Sequence, residues 1–370
     1  MTQPTASAAD YLDRLGRVRD AMGVAGLDAL LISVGHDLPY LTGYTAMPLE
    51  RLTMLVVPRD GEASLVVPAL EAPRVVEQPG VFTVLPWAET EDPTAIVARL
   101  AAGARQVGVG DQMWARFLVE LLPQLDGARY RRAVEVIGPL RMRKDAAEIE
   151  ALAAAGAAVD RIAGELQRGE IALVGRTEAA VSRELGRRIV EEGHERVNFA
   201  IVAAGENAAS PHHHAGSRVI AEDEIVLCDF GGTMAGYCSD TTRCVYTGNI
   251  PAEIDEAYAV LRDAQAVGVA AGVAGTSCED VDRATRAVIA DAGYGEFFIH
   301  RTGHGIGMEE HEDPYIVEGN RQVLEAGHAY SVEPGIYVPG RWGMRLEDVV
   351  VTTDEGPQPL NRSDHALIRV

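Results

Sequence analysis

Five side chains able to bind a metal ion are scattered between residues 229 and 347, each in its own local context. They are Asp229 in LCDFGG, Asp240 in YCSDTTR, His304 in HRTGHGIG, Glu333 in SVEPG and Glu347 in MRLED. If they act together, segments spread over that whole span must converge on one point. That requirement constrains the fold more than composition does. Four carboxylates and one imidazole match two adjacent hard or borderline dications, whose charge the carboxylates balance. Oxygen-rich ligation suits manganese, cobalt or zinc better than a thiolate site would. Such ions make hydroxide at neutral pH, so the residue set points to hydrolytic chemistry.

Each segment adds a local reason. DFGGTMAGYCSD reads as a hairpin in which Gly231-Gly232 and Gly236 allow the turn that turns Asp229 and Asp240 toward one point. Two aspartates on a hairpin, taken alone, are usually turn or surface residues. The glycines around His304 permit close backbone approach. Glu333 ends the apolar run HAYSVEPG, where Pro334-Gly335 stops a strand, and buried carboxylates are rare unless paired or metal-bound. Glu347 is read on a strand with Arg345 two residues earlier, on the same face.

A chain of 370 residues favours two domains, because a single core rarely grows past about 250–300 residues. A helix over 11–25 is expected from Tyr11, Leu12, Leu15, Val18 and Met22 at helical spacing. Strands at 29–34, 52–58, 64–68, 81–86, 106–110 and 128–137 alternate with helices at 93–103 and 113–122, predicting an α/β domain over residues 1–140. Gly138-Pro139 is read as ending its last strand. Asp145 followed by Glu148 has capping-box spacing for a long helix opening a second domain, 141–370.

There the order of elements repeats. Helices at 145–168 and 177–193 precede strands at 198–204, 224–230 and 234–247. Helices at 251–271 and 277–292 precede strands at 296–302, 328–336 and 344–352. Pro251 suits a first helical turn, and Thr276 with Glu279 has capping-box spacing. Asp229 and Asp240 fall in the first half and the other three ligands in the second, placing the site on a pseudo-twofold seam.

The balance of 33 basic and 55 acidic side chains leaves a formal charge of −22, a surface that opposes nucleic acid and anionic lipid. Cys228, Cys238, Cys244 and Cys278 show no CxxC spacing, and Cys228 in EIVLCDF reads as a buried strand thiol. No run of 18 or more apolar residues occurs, and MTQPTASAADYLDRL lacks a basic start and an apolar core, so a cytoplasmic chain with reduced cysteines and no membrane partner is expected.

Taken together, the five motifs resemble the pita-bread metallopeptidases, the family of methionine aminopeptidases, aminopeptidase P and prolidases. The resemblance runs over nearly the whole chain: DALLISVGHDLPYLTGY (28–44) looks like the family's N-terminal domain and LRMRKDAAEIEAL like its interdomain helix. It implies a creatinase-like α/β domain followed by a pita-bread domain, with two divalent ions per subunit, manganese first and cobalt or zinc as alternatives. By the same resemblance Asp229 chelates one ion, Asp240 and Glu347 bridge both, and His304 and Glu333 complete the second, with a shared water or hydroxide. Glu333 is the implied proton shuttle. His311 in EEHEDP is the implied donor to the scissile carbonyl, and His212, after Ser210-Pro211, the substrate-facing histidine. His300 and Arg345 match substrate-binding positions, although Arg345 can equally serve to neutralise the carboxylates.

A domain like residues 1–140 is not typical of methionine aminopeptidases. HRTGHGIG and the length are similar to the shorter bacterial Xaa-Pro dipeptidases. The resemblance therefore implies a homodimer that cleaves short proline-containing peptides, with Xaa-Pro aminopeptidase as the alternative. An Xaa-Pro bond has no N–H and a fixed φ, which defeats peptidases that need that donor. Two rivals share the fold: a metal-free hydrolase of the creatine-cleaving type and a non-catalytic binding scaffold. Both are distinguished by loss of ligands, and here all five positions are filled. The histidines after Pro211 form a triplet, His212-His213-His214, where the family commonly has one.

Overall fold

The computed structural model describes residues 6–370. The chain divides into two units, one ending at Arg141 and the other running Met142–Val370. In the first, α1 (Ala8–Ala25) starts on a Ser7–Asp10 capping box and stops at Gly26 in the left-handed region. Tyr11, Leu15, Val18 and Met22 form its buried stripe, while Leu12 lies outside that stripe and is exposed. Then follow β1 (Ala29–Ile32), α2 (Asp37–Thr42), β2 (Met54–Pro58), β3 (Ala63–Pro68), β4 (Phe82–Trp87), α3 (Pro93–Leu100), β5 (Gln106–Val109), α4 (Ala115–Leu121), β6 (Arg129–Arg132) and α5 (Val134–Met142). The strands form one mixed sheet in the order β4-β3-β2-β1-β5-β6.

The strand expected over 128–137 stops at Arg132, and α5 takes over with Pro139 inside it. Ala133, Val136 and Ile137 are buried at helical i, i+3, i+4 spacing, and that packing overrides the strand preference of β-branched residues. Gly138-Pro139 therefore does not end a strand.

The second unit opens with α6 (Ala146–Gln167), capped by the reciprocal Asp145–Glu148 box that the spacing predicts. Its first half continues with α7 (Glu178–Glu191), β7 (Arg196–Ala204), β8 (Ile225–Met234), β9 (Tyr237–Cys238) and β10 (Thr241–Tyr246). The second half holds α8 (Ala252–Ala271), α9 (Cys278–Asp291), β11 (Gly303–Gly305), β12 (Glu312–Ile316), β13 (Ala329–Val332), β14 (Gly335–Val338), β15 (Trp342–Arg345), β16 (Asp348–Thr353), β17 (Gly356–Pro359) and β18 (Ile368–Arg369). One sheet runs β18-β10-β8-β7, a second runs β12-β11-β13-β16-β17, and β14 pairs with β15. This is the pita-bread arrangement: two helices and a sheet in each half, antiparallel except where β18 runs parallel to β10. Helices α6 and α7 cover one face of the first sheet, where Ile162, Leu166, Val181 and Leu185 pack on Val202, Val226, Cys228 and Phe230. Each such side chain contributes about 1.5–3 kcal/mol by leaving water.

Local boundaries differ from the sequence expectation in several places. Residues 296–302 make a 3₁₀ turn, Gly295–Phe297, and a loop instead of a strand. Side chains hold that loop: Arg286 donates to the Phe298 and His300 carbonyls, and Asp282 accepts from the Thr302 N–H. The 328–336 strand breaks at Glu333-Pro334, and the 344–352 strand at Leu346-Glu347. Ser277 caps α9 one residue after Thr276, and Pro251 occupies the cap of α8 just before its first turn. The hairpin after Asp229 turns at Ala235 and Gly236, both with positive φ. Gly231 and Gly232 lie within β8, where a Cβ would stand 2.1 Å from the Ser239 carbonyl and 2.6 Å from the Arg196 carbonyl. They serve close strand approach, not the turn.

Candidate metal centre

Alternation along β8 sets the first donor. Val226, Cys228 and Phe230 face α6 and α7, so Ile225, Leu227 and Asp229 face the other way. In the β8–β10 ladder Asp229 stands opposite Thr242, and Asp240 immediately precedes β10. The second half reaches the same place through an isolated bridge between Thr242 and Glu347. Thr242 Oγ1 donates to Glu347 Oε2 at 2.6 Å, fixing one oxygen of that carboxylate across the seam.

His304 is the middle residue of β11. Its neighbours must be glycine: a Cβ on Gly303 would stand 1.8 Å from the Ser331 carbonyl, and one on Gly305 2.2 Å from the Asp313 carbonyl. His304 Nδ1 lies 3.1 Å from the Gly305 carbonyl, which makes Nδ1 the N–H and leaves Nε2 a lone pair directed at the acids. Nε2 is 3.2 Å from Glu333 Oε1 and 3.8 Å from Asp240 Oδ2. Donor atoms of Asp240, His304 and Glu347 all lie within 4.8 Å of one another, a group able to hold a metal ion.

Asp229 and Glu333 join this group through Arg345. The buried guanidinium donates to Asp229 Oδ2 through Nη2, and its Nε lies 4.0 Å from Glu333 Oε2. Three oxygens nevertheless have no hydrogen-bond partner although buried: Asp229 Oδ1, Asp240 Oδ1 and Glu347 Oε1. Orphaned anionic oxygens are costly. A cation held among them satisfies all three, so the residues present fit divalent metal. Burial, reinforced by the neighbouring carboxylates, pushes Asp240 and Glu347 far above the usual carboxylate range and Asp229 upward. Glu333 goes the other way: burial raises it, but the neighbouring His304, His300 and Arg345 more than offset that and bring it to about 2.

These side chains floor a cavity of about 470 Å³, walled by Phe199, Ile201 and Pro211 and rimmed by His212, His300, Arg301, Glu310 and His311. A family model described as Metallopeptidase family M24 matches residues 147–354, and one described as the Creatinase/Prolidase N-terminal domain matches residues 14–143. The chain belongs to metallopeptidase family M24. A solved dipeptidase PepE from Mycobacterium ulcerans is 42% identical, with 99% of each chain covered and a TM-score of 0.93. A recombinant prolidase from Thermococcus sibiricus is 33% identical with a TM-score of 0.92, over 98% of this chain and 99% of that one. An Xaa-Pro dipeptidase from Lactobacillus delbrueckii subsp. lactis is 33% identical over 95% of this chain and 98% of that protein. This chain is thus a metallopeptidase.

Around the M24 donor set the remaining histidines differ in their ties. His311 packs against His304 with ring centroids 3.9 Å apart and the planes tilted by 47°. Partial burial, then the neighbouring His304 and Arg301, hold it below its ordinary value, at about 4, so its ring is neutral near pH 7. His212 is exposed to the cavity, whereas His213 Nε2 lies 2.8 Å from the fully buried Glu178 carboxylate. His214 is exposed and outside the cavity lining. The triplet therefore divides into one cavity residue, one anchor and one surface residue.

Tyr337, Thr242 and Arg301 are site residues that the motifs did not single out. The Tyr337 hydroxyl accepts from Arg345 Nη1 at 2.9 Å and lies 2.9 Å from His300 Nε2. His300 Nδ1 is tied to the Arg301 carbonyl at 2.7 Å, so Tyr337 donates to Nε2. Arg345 also donates to Thr242 Oγ1 at 3.0 Å and the Pro211 carbonyl at 3.4 Å. Its donors are mostly directed at protein groups, the arrangement expected of a neutralising cation. Thr242 could have been found two residues after Asp240, on its face of the strand. Tyr337 carried no comparable signal.

Among the described residues no helix is long and apolar enough to cross a membrane. All four cysteines are buried and free.

Proposed function

We propose that the chain is a dinuclear Xaa-Pro dipeptidase, a homodimer working on short proline-containing peptides in the cytoplasm, with manganese as its first-choice metal. The observation that carries this reading is the set of three unpartnered carboxylate oxygens facing one imidazole at the floor of a cavity with an apolar wall. Asp229, Asp240, His304, Glu333 and Glu347 would hold two ions. Ions held there would supply Lewis acidity and an acidified water, a nucleophile that bulk water cannot offer at neutral pH.

The chain's own groups do the rest. Glu333, ionised at neutral pH, accepts a proton from the attacking water and delivers it to the leaving prolyl nitrogen. Arg301 Nη2 lies 3.5 Å from His311 Nδ1, which leaves Nε2 as the N–H of the neutral ring. On this reading that N–H donates to the scissile carbonyl as its oxygen becomes anionic. Phe199, Ile201 and Pro211 exclude water and give a pyrrolidine ring an apolar wall, with His212 facing the substrate. His300, braced by Tyr337, and Arg345 line the same cavity. Arg345 restrains the carboxylates' mutual repulsion and opposes the rise that burial imposes on Asp229. The N-terminal unit is assigned to dimerisation and to limiting access to short peptides.

The deciding measurement compares Ala-Pro with Ala-Pro-Ala cleavage by manganese-loaded protein. Preference for Ala-Pro is expected. Preference for the tripeptide would move the chain to the Xaa-Pro aminopeptidases, and cleavage of neither would leave a scaffold.

A further inference from the structure

The chain carries 33 basic side chains, and only one of them, Lys144, is lysine. Lysine is ordinarily a surface residue, yet this side chain is 1% exposed. Its Nζ lies 2.6 Å from Glu312 Oε1, and the Glu312 side chain is itself 9% exposed. In a chain that otherwise uses arginine for every cation, the position that keeps lysine is one with a steric demand. Gly307 supplies it. A Cβ built there would stand 2.6 Å from Glu312 Oε1 and 3.0 Å from Lys144 Cε. The ion pair thus fills a slot whose wall is bare backbone. A compact ammonium on a slim stem enters such a slot, whereas a planar guanidinium is broader and brings donors with nothing to bond.

Both ends of the pair sit at informative places. The Lys144 main-chain N–H donates to the Gly327 carbonyl at 2.9 Å, and the next residue, Asp145, caps α6. Glu312 opens β12 directly after His311 and lies opposite Gly305 in the β11–β12 ladder. Between Gly305 and Glu312 the chain makes a bend with no ladder of its own. The Ile306 N–H donates to the Ala329 carbonyl at 3.1 Å, and the Gly307 N–H to the Glu309 carbonyl at 3.1 Å. The Gly307 carbonyl accepts from the Cys238 N–H at 2.8 Å and the Met308 carbonyl from Cys238 Sγ at 3.5 Å, all on the far side of the bend from His311. Besides the long 3.5 Å contact from Arg301 to the His311 ring, the Glu312 side chain is a buried anchor one residue from His311, and Lys144 is what it is anchored to.

We propose that Lys144 is a positioning residue whose buried ion pair with Glu312 fixes the His311 ring against His304. It rests on the reading above that His311 donates to the scissile carbonyl. The test uses Lys144→Met, Lys144→Arg and Glu312→Gln in the full chain, with two readouts.

The first readout needs no activity. In metal-free protein, the imidazole NMR signals of His311 should shift or broaden in Lys144→Met and Glu312→Gln while those of His194 hold still. Unmoved His311 signals in both variants would overturn the proposal. Glu312→Gln keeps a group that can accept from the ammonium, so it guards against a Lys144→Met chain that fails to fold.

The second readout is kinetic. Lys144→Met should lower kcat on Ala-Pro about 10- to 100-fold, the range seen when a group supporting a site residue is lost, with KM changing far less. Lys144→Arg should behave like Lys144→Met, and wild-type turnover there would overturn the steric claim. In a His311→Ala background Lys144→Met should cost nothing further, because both changes remove the same contribution. Losses that multiply would show a general structural role and overturn the proposal. A wild-type chain that cleaves no Xaa-Pro peptide would sink the peptidase reading alone, with the ring signals still deciding the anchor.

Discussion

Arg345 donates through Nη2 to one oxygen of Asp229 while the other oxygen, Oδ1, is buried without a partner. One guanidinium thus faces four carboxylates, and Arg345 offsets only part of their repulsion. Replacing Arg345 with Met should lower the stability of metal-free protein by about 3–5 kcal/mol, the cost of leaving a buried charge alone. Manganese should then raise the melting temperature more than it does in wild type, since the ions take over the missing positive charge. A smaller manganese-induced rise than in wild type would show that Arg345 supports metal binding in some other way.

Proton release should accompany metal uptake. Burial and neighbouring carboxylates raise Asp240 and Glu347 well above their ordinary values, so the metal-free centre holds protons that ligation must displace. Groups with raised folded values favour the metal-free fold in acid, and that contribution is lost as pH rises through those values. Metal affinity should therefore climb with pH. Calorimetric titration with manganese near pH 6.5, repeated in buffers of different ionisation enthalpy, should report net proton release. A heat independent of buffer would mean that the carboxylates are already ionised.

The α/β order and the two-half plan were legible because they rest on periodicity and on turn chemistry. Asp145 and Glu148 announced α6 by spacing alone. What could not be read were features decided by contacts far away in sequence. Val134, Val136 and Ile137 look like strand residues, and only burial of Ala133, Val136 and Ile137 on one side makes α5 a helix. Loop 298–302 looked like a strand because Arg286 and Asp282, which satisfy its backbone, lie on α9. In the site, the flanking glycines and Pro334 marked where acids and His304 stand. The Arg345–Tyr337–His300 chain was invisible, since it joins three residues through side chains.

Glu333 and His311 should separate kinetically. Glu333→Gln removes the proton carrier while keeping the side chain's shape, so turnover should fall about 10²–10⁴-fold with KM less affected. His311→Ala should lower kcat about 10²–10³-fold, the usual loss of an oxyanion donor, and change KM less. Steady-state kinetics on Ala-Pro checks both. A His311 variant whose main defect lies in KM would reassign that ring to ground-state binding.

Acid sensitivity of the second unit should trace partly to His328, which stands outside the donor set although only five residues before Glu333. Burial, helped by the nearby Lys144 and Arg143 charges and opposed by Glu325, lowers this imidazole to about 4. Its Nδ1 accepts the Glu325 N–H at 3.2 Å, which requires an unprotonated nitrogen there. Between the unfolded value near 6.5 and about 4, the unfolded chain binds the extra proton and the folded chain does not. Stability is therefore lost as pH falls through that window, by an amount on the order of 3 kcal/mol. His328→Asn keeps an acceptor and cannot titrate. Metal-free denaturant melts from pH 7 to 4 should show a flatter acid limb for the variant, and parallel limbs would remove His328 from the explanation.

The histidine triplet offers the sharpest separation of roles, because three adjacent identical side chains face three environments. His212 lines the cavity, His213 contacts Glu178 and His214 is exposed. Glu178 also accepts from the Ala204 N–H at 2.9 Å and from Asn207 Nδ2 at 3.0 Å, so its fully buried carboxylate gathers the loop that carries the triplet. His212→Ala should cut kcat/KM at least about tenfold, or ~1.4 kcal/mol in transition-state binding, without moving the melting temperature. His213→Ala should instead cost about 1–3 kcal/mol of stability by stripping a donor from a buried carboxylate, with a smaller kinetic effect. His214→Ala should do neither. Parallel melts and Ala-Pro kinetics on the three variants decide it, and a large activity loss in His214→Ala would show that a different ring enters the cavity when substrate binds.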